Sequence, residues 1–416
     1  MRVALLCETF SKKMGYLQRS LSKHLAMLGV DMHVVTMDLF PYHQTSDFST
    51  TYGDFNREGE LAPGSVEQFE GYTLHVLPHR KTLGHMRMSG LEEKLRQIRP
   101  DIVQTMANFG WIAMDAARLK MIFGYKLFTG NHFHASVFPM AARNGHRPWD
   151  RERLQCLFAR TIPGWLVSQL TTTLYAITPD CADIAIRFFG APASKVVVCP
   201  LGIDTEFFHP TRTAAGRSAR NVLRKRLGFE EDEIVCIYSG RFSDDKNPLL
   251  LAQSTSELRQ KGEPFRGLFV GNGAQADAIR ALSGNLVHPF VPVQDLANYF
   301  RASDIGVWPT QESMSMLDAA ACGLPIVVNH TVNAPERIDG NGLRYRLNDR
   351  DDLIRVLLQL RDSSFRQQLG VVGAEKMSRD FSWGQVARRR LKDYEAALLP
   401  TRDSARELVS KEKELA

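Results

Sequence analysis

Arg241 and Lys246 stand five positions apart in the segment Tyr238-Ser239-Gly240-Arg241-Phe242-Ser243-Asp244-Asp245-Lys246-Asn247-Pro248. An apolar run of strand length ends at Ser239, and a helical stretch opens at Pro248. Two cations in a loop at the C-terminal end of a strand suit a diphosphate, the arginine as a planar fork and the lysine as a point charge. Gly240 permits close approach of the backbone. The plainer reading is a solvated loop in which Arg241 pairs with Asp244 or Asp245.

A second segment, Gln311-Glu312-Ser313-Met314-Ser315-Met316-Leu317-Asp318, follows the apolar run 305–308. Glu312 falls in the loop and Asp318 in the first turns of the next helix. Backbone amides near Ser315 and Met316 form an anion site of the kind found at helix N-termini. A carboxylate accepts two hydrogen bonds from a vicinal diol, as acidic residues do with ribose in dinucleotide-binding folds. Two carboxylates around an amide-lined site therefore fit sugar-nucleotide recognition. Acidity that complements the helix dipole is the plain alternative. In Thr129-Gly130-Asn131-His132-Phe133-His134 two histidines sit just past a strand. Either is a candidate proton carrier or hydrogen-bond donor, and the default for both is a buried, satisfied ring. As a metal pair they lack an obvious third ligand. Gly15, in the first loop, can admit a ligand phosphate or serve only as a turn.

These residues sit at the ends of apolar runs. Runs at 3–7, 32–36, 102–104, 126–129, 174–177 and 196–199 alternate with helical stretches, the first of which puts Leu17, Leu21, Leu25 and Leu28 on one face before Gly29. A second series has strands at 234–239, 267–270, 286–290, 305–308 and 326–328, with helices at 248–259, 275–282, 294–301 and 317–322. Such alternation predicts parallel sheets covered on both faces, in two α/β doubly wound (Rossmann-like) domains facing across a cleft. The polar, basic stretch 211–226 marks the neighbourhood of the junction. The absence of G-x-G-x-x-G and of a Walker lysine loop argues against nicotinamide, flavin and P-loop chemistry. The one D-x-D, Asp349–Asp351, reads as a helix cap.

The chain has 416 residues, 44% apolar and 24% charged, which excludes wholesale disorder and coiled-coil composition. Neither a spanning helix nor a signal peptide is legible, so the expected place is the cytoplasm. The net charge is +6, and residues 1–200 hold 22 Lys and Arg against 17 Asp and Glu. A mildly basic first half suits an anionic substrate or an anionic membrane surface, with an ordinary soluble surface as the plain reading. No nucleic-acid-binding signature accompanies it. The six cysteines are scattered and read as buried thiols in a reducing compartment.

Together the segments resemble a retaining glycosyltransferase of the GT-B fold, glycosyltransferase family 4 (glycosyl transferases group 1), over nearly the whole chain. The residues that carry the resemblance are Pro200-Leu201-Gly202-Ile203-Asp204-Thr205-Glu206-Phe207-Phe208, similar to the interdomain segment; the loop 240–246; Ala319-Ala320-Ala321-Cys322-Gly323-Leu324-Pro325-Ile326-Val327; and Phe381-Ser382-Trp383, similar to the start of a C-terminal helix that crosses back. The resemblance implies an N-terminal domain 1–205 on the acceptor side, completed by a helix at about 381–400, a donor domain 206–380, and a charged tail 401–416. It implies that Arg241 and Lys246 hold the donor diphosphate beside Gly240, that Glu312 contacts the donor sugar, and that Asp318 contacts the ribose. Amides near Ser315 and Met316 would meet the phosphate, Gly15 would line the donor site from the other lobe, and His134 or His132 would lie near the anomeric carbon. The implied reaction moves a sugar from a nucleoside diphosphate sugar to an acceptor hydroxyl with retention, with no metal and no permanently bound cofactor. Glycan, lipid-linked and small-molecule acceptors all fit, as does peripheral contact with the inner membrane surface. The competing readings are a nucleotide-sugar-binding partner subunit without turnover and a GT-B nucleotide-sugar epimerase.

The chain departs from the family pattern in three places. The family has two glutamates with seven residues between them, whereas Glu312 and Asp318 have five. Many members have Gly-Gly in the first loop, where this chain has Gly15-Tyr16. The stretch 141–168, rich in Arg and apolar residues including Trp149, Leu154, Phe158, Trp165 and Leu166, reads as an amphipathic helix packed on its own lobe. An acceptor or membrane-facing insertion is the alternative.

Overall fold

The computed structural model describes residues 1–46, 48–53, 55, 61–141, 151–211, 213–332 and 334–399; the tail 401–416 and Trp149 lie outside the described residues. The first lobe runs β1 (Arg2–Cys7), α1 (Leu17–Met27), β2 (Asp31–Met37), α2 (Phe48–Tyr52), β3 (Val66–Phe69), β4 (Tyr72–Leu77), β5 (His79–Thr82), β6 (His85–Met88), α3 (Leu91–Ile98), β7 (Ile102–Thr105), α4 (Gly110–Phe123), β8 (Lys126–Asn131), α5 (Arg151–Cys156), α6 (Ile162–Leu170), β9 (Thr171–Ala176), α7 (Pro179–Phe188) and β10 (Val196–Val198). A π-helical turn, Leu157–Thr161, joins α5 to α6. The second lobe runs α8 (Ala214–Arg226), β11 (Ile234–Arg241), α9 (Pro248–Gln260), β12 (Phe265–Asn272), α10 (Ala276–Arg280), β13 (Asn285–His288), α11 (Val293–Ala302), β14 (Ile305–Trp308), α12 (Met314–Ala321), β15 (Ile326–Asn329), α13 (Pro335–Ile338), β16 (Gly342–Tyr345), α14 (Arg350–Gln359) and α15 (Ser363–Asp380). Helix α16 (Trp383–Leu398) follows.

The first sheet has the order β10-β9-β8-β7-β1-β2-β4-β3, and only the edge strand β3 is antiparallel. The second, β13-β12-β11-β14-β15-β16, is parallel throughout. Central strands such as β1 and β11 are buried along nearly their whole length, as near-continuous apolar runs require when helices cover both faces. In each sheet the chain order reverses beside one strand: β1 lies between β7 and β2, and β11 lies between β14 and β12. Ligands of doubly wound sheets bind beyond the carboxyl ends of the strands at such points. The loop after β1 carries Gly15, and the loop after β11 carries Lys246.

The basic stretch 211–226 folds largely as α8, which packs on α11; Arg224 is buried and bonded to Asp304. The chain crosses between lobes at 199–208 and again at 381–383. The two crossings pair: Ile203 N–H donates to Phe381 O at 2.7 Å and Trp383 N–H to Ile203 O at 3.0 Å. Trp383, Val386, Ala387 and Tyr394 then enter the core of the first lobe. Buried Arg390 donates to Gln104 and lies over the Tyr175 ring. The D-x-D is a cap, Asp349 Oδ1 accepting from Asp352 N–H at 2.9 Å. All six cysteines are buried free thiols. No helix among the described residues is long and apolar enough to cross a membrane.

Candidate active site

Strand β8 ends at Asn131, and its continuation brings His134 into the cleft. His134 Nδ1 lies 3.1 Å from Glu312 Oε1 of the second lobe and 3.5 Å from Asp180 Oδ2 at the start of α7. Asp180 is fixed by the Ala135 N–H and by the Thr178 hydroxyl, both of which donate to it. Burial alone would lower the pKa of His134, but hydrogen bonds to Asp180, Cys181 and Glu312 outweigh it and raise the pKa to about 11. Burial opposes ionisation of Asp180 and Glu312, yet the facing imidazolium holds both below the usual carboxylate range. His132 differs. Burial, with Arg390 and His134 nearby, lowers its pKa to about 3, so it is a neutral ring.

The two cations stand on the other side of the same loop. Lys246 Nζ donates to Gln311 Oε1 at 2.6 Å, next to Glu312. Burial lowers the Lys246 pKa, partly offset by Asp245. Arg241 meets Asp245 at 3.4 Å, and its guanidinium lies over the Tyr42 ring, 5.1 Å from the centroid. Gly240 has φ +151°, and an added Cβ would approach the Tyr238 hydroxyl to 2.8 Å. The α12 end is tied to this strand, for Ser315 Oγ donates to Ser239 O at 3.2 Å. Its first amides are engaged internally: Ser315 N–H on the Ser313 hydroxyl, Met316 N–H on Ser313 O. A phosphate there competes with the cap.

Asp318 and Gly15 belong to a different corner. They line a small pocket near the hinge with Arg19, Lys23, Asp204 and Trp383. Burial, with Asp204 facing it, raises the Asp318 pKa well above the carboxylate range. Because α12 starts at Met314, Glu312 remains in the loop while Asp318 is one turn inside the helix. The short spacing thus aims the two carboxylates at separate places. A Cβ on Gly15 would meet Val293 Cγ2 at 2.8 Å, so the lobes touch where a larger residue would not fit. The Lys13 carbonyl accepts from Val293 N–H at 3.0 Å beside it.

Three participants have no clear signal in the sequence. Asp180 is one; Thr-Pro-Asp just past a buried strand adjoining β8 was the available clue. The others are Tyr42 and Tyr52. Tyr42 stacks on Tyr52 at 5.2 Å, and Tyr52 stacks on Phe290 of the second lobe at 5.0 Å. Rings from both lobes thereby form one column that ends on Arg241. Among the described residues, His134, Asp180 and Cys181 have ligand atoms within 4.8 Å of one another. With Nδ1 directed at two carboxylates, His134 carries a proton there rather than a lone pair.

Residues 16–207 match the model of Glycosyltransferase Family 4, and residues 233–363 match that of Glycosyl transferases group 1. The chain belongs to glycosyltransferase family 4. This glycosyltransferase is 29% identical over 378 residues to a D-inositol 3-phosphate glycosyltransferase of Geodermatophilus obscurus, covering 81% of this chain and 77% of the relative. It is 24% identical over 423 residues to the protein of that name in Streptomyces griseus, covering 93% and 84%. In fold it is similar to sucrose-phosphate synthase from Thermosynechococcus elongatus, with TM-score 0.70, 15% identity and coverage of 95% and 98%. It is also similar to HepE of Anabaena in complex with UDP and glucose, with TM-score 0.68, 14% identity and coverage of 95% and 100%. The glycosyltransferase therefore has the GT-B architecture of two Rossmann-like domains.

Proposed function

We propose that this glycosyltransferase moves a hexosyl group from a nucleoside diphosphate sugar to an acceptor hydroxyl, with retention of configuration and without a metal ion. One observation carries the reading: the His134–Glu312 pair joins the lobes beside the loop whose Gln311 holds Lys246. Arg241 and Lys246 neutralise the leaving diphosphate, and the positive end of α12 adds to them. Glu312 takes sugar hydroxyls, and Asp318 reaches the ribose from the hinge side. A histidine with a pKa near 11 is poorly matched to act as a base at neutral pH. His134 serves instead as a fixed cation and donor near the anomeric carbon. The acceptor attacks on the face from which the diphosphate departs, and a leaving phosphate oxygen takes the acceptor proton. Positioning and charge neutralisation carry the rate.

HepE of Anabaena was crystallised with UDP and glucose, which makes a uridine diphosphate hexose the first donor to try. The relatives' name puts a phosphorylated polyol in the acceptor panel, beside glycans and lipid-linked acceptors. No feature of the described site favours a binding subunit or an epimerase. The test is transfer of labelled sugar in the presence of a chelator, with the product anomer read by NMR. Retention, chelator-insensitive turnover and at least a roughly tenfold loss in Lys246→Ala are expected, the loss being that of one charge-stabilising donor. An inverted product, turnover abolished by the chelator, or undiminished turnover in Lys246→Ala sinks the corresponding part.

A further inference from the structure

Glu8 directly follows β1, the strand beside which the chain order of the first sheet reverses. Cys7 and Phe10 are buried on either side of it, while Glu8 is exposed. Burial nevertheless raises its pKa, and His43 and His85 partly offset the rise. A carboxylate that solvent reaches but protein surrounds lines a crevice rather than a convex surface. Other acids of this lobe are engaged: Asp38 with His79 at 2.7 Å, Asp115 with Arg87 at 2.5 Å, and Asp180 with His134. Among the described residues no hydrogen bond or ion pair reaches the Glu8 carboxylate. His43 donates from Nδ1 to the Phe40 carbonyl at 3.0 Å, and its Nε2 has no partner. Two hydrogen-bond acceptors without donors thus stand at the carboxyl edge of the first sheet.

The strand register relates Glu8 to the site. Leu6 pairs with Thr105 and Gln104 with Phe128, so Glu8 is level with Asn131, where β8 ends and the chain turns to His134. Strand β7 lies between them. Two strand spacings make about 10 Å. That is the breadth of one polyol ring with a hydrogen bond at each end.

We propose that Glu8 is an acceptor-binding residue, whose carboxylate takes the far hydroxyls of a polyhydroxylated ring while a near hydroxyl of that ring attacks beside His134. The substrate class is a polyol or glycosyl ring. No Lys or Arg is among the groups that act on Glu8, so a phosphate carried by the acceptor points away from this end. A simple alcohol leaves the carboxylate unpaired, and a site built to bind hydroxyls rejects a ligand that lacks them. The inference rests on the transferase reading, but donor binding at Arg241 and Lys246 does not involve Glu8.

The test uses the full chain. Thermal shifts with UDP, GDP and ADP choose the nucleotide, and its labelled glucose conjugate is the donor. The acceptors are myo-inositol and cyclohexanol, the second being a ring with a single hydroxyl. The wild type should favour myo-inositol at least roughly a hundredfold in kcat/KM. Glu8→Ala should raise the KM for myo-inositol roughly tenfold or more, the size of one charge-assisted hydrogen bond. It should leave the cyclohexanol rate and the nucleotide shift unchanged. Glu8→Gln, nearly isosteric, should raise the same KM by less, and it carries the test if the alanine variant fails to fold. An unchanged KM for myo-inositol in the folded variants overturns the proposal. So does a wild type that uses cyclohexanol as well as myo-inositol, or one that shifts with a nucleotide and transfers to neither. A wild type with no nucleotide shift and no transfer overturns the transferase reading, and this inference with it.

Discussion

His134 Nδ1 and Glu312 Oε1 face each other at 3.1 Å across the cleft, one from each lobe. Asp180 holds the imidazole from its own lobe at 3.5 Å, so the ring is anchored on one side and met on the other. The charge of His134 and the closure of the lobes are therefore linked. Parting the lobes removes one of the two carboxylates that keep the ring protonated.

A pH dependence follows. The pKa of His134 is raised, so the stability it contributes is complete below the unfolded value of about 6.5, falls as pH rises, and is gone above about 11. The stability advantage of the wild type over His134→Gln should narrow between about pH 6.5 and about pH 9 in thermal unfolding. In an NMR titration the His134 ring should stay doubly protonated through this range. A ring that titrates near 6.5 would falsify the arrangement.

The donor cations can be tested without an acceptor. A nucleoside diphosphate at about 100 times its dissociation constant should stabilise the protein by roughly 2.7 kcal/mol. Arg241→Ala and Lys246→Ala should each lose most of that thermal shift. Tyr42→Ala should retain it, since it frees the Arg241 guanidinium from the ring above it. Equal shifts in all four proteins would remove the diphosphate from this loop.

Asp318 should behave in the opposite sense to an ion-paired acid. Its raised pKa means that folding loses stability as pH climbs above the ordinary carboxylate range of about 4. Asp318→Asn should therefore melt higher than the wild type near neutral pH, with the gap closing toward about pH 4. The same substitution should raise the KM for the donor. A variant that melts lower at neutral pH would show that the carboxylate is ionised and paired.

At Gly15 the prediction is steric. Gly15→Ala pushes Val293 from 2.8 Å and holds the lobes apart, at a cost of about 1 kcal/mol, roughly a fivefold rise in donor KM. Gly15→Ala/Val293→Ala should recover most of the loss. A double variant no better than Gly15→Ala would mean that the glycine acts through backbone conformation rather than through this contact.

Strands buried on both faces were legible because they read as continuous apolar runs, as in Ile237, Tyr238 and Ser239 before the cation loop. Strands β5 and β6 were not, since His79-Arg80-Lys81-Thr82 is polar throughout and mostly exposed. Arg241, Lys246 and Glu312 stood out because a charged loop directly after an apolar strand is a local pattern. The choice between His132 and His134 was not local. It depends on Asp180 and Glu312, 46 and 178 positions further on. Tyr42 and Tyr52 carry no period or motif, and only Phe290, from the other lobe, gives them a purpose. The short spacing from Glu312 to Asp318 was visible, but its effect required knowing that α12 begins at Met314.

The pairing of Ile203 with Phe381 and Trp383 has a mechanical consequence. Two connecting segments that cross between the lobes side by side act as two adjacent pins, which allow rotation about their line and resist sliding across it. Gly202 sits against Trp383 so closely that an added Cβ would come within 2.8 Å of its Cα, which leaves the joint little slack. Motion of the lobes then reduces to one angle. Points far from the joint travel furthest for a given turn, whereas the pocket around Asp318, lined by Gly202, Asp204 and Trp383, lies at the joint itself. The molecule would open at its lip and keep its grip at the root.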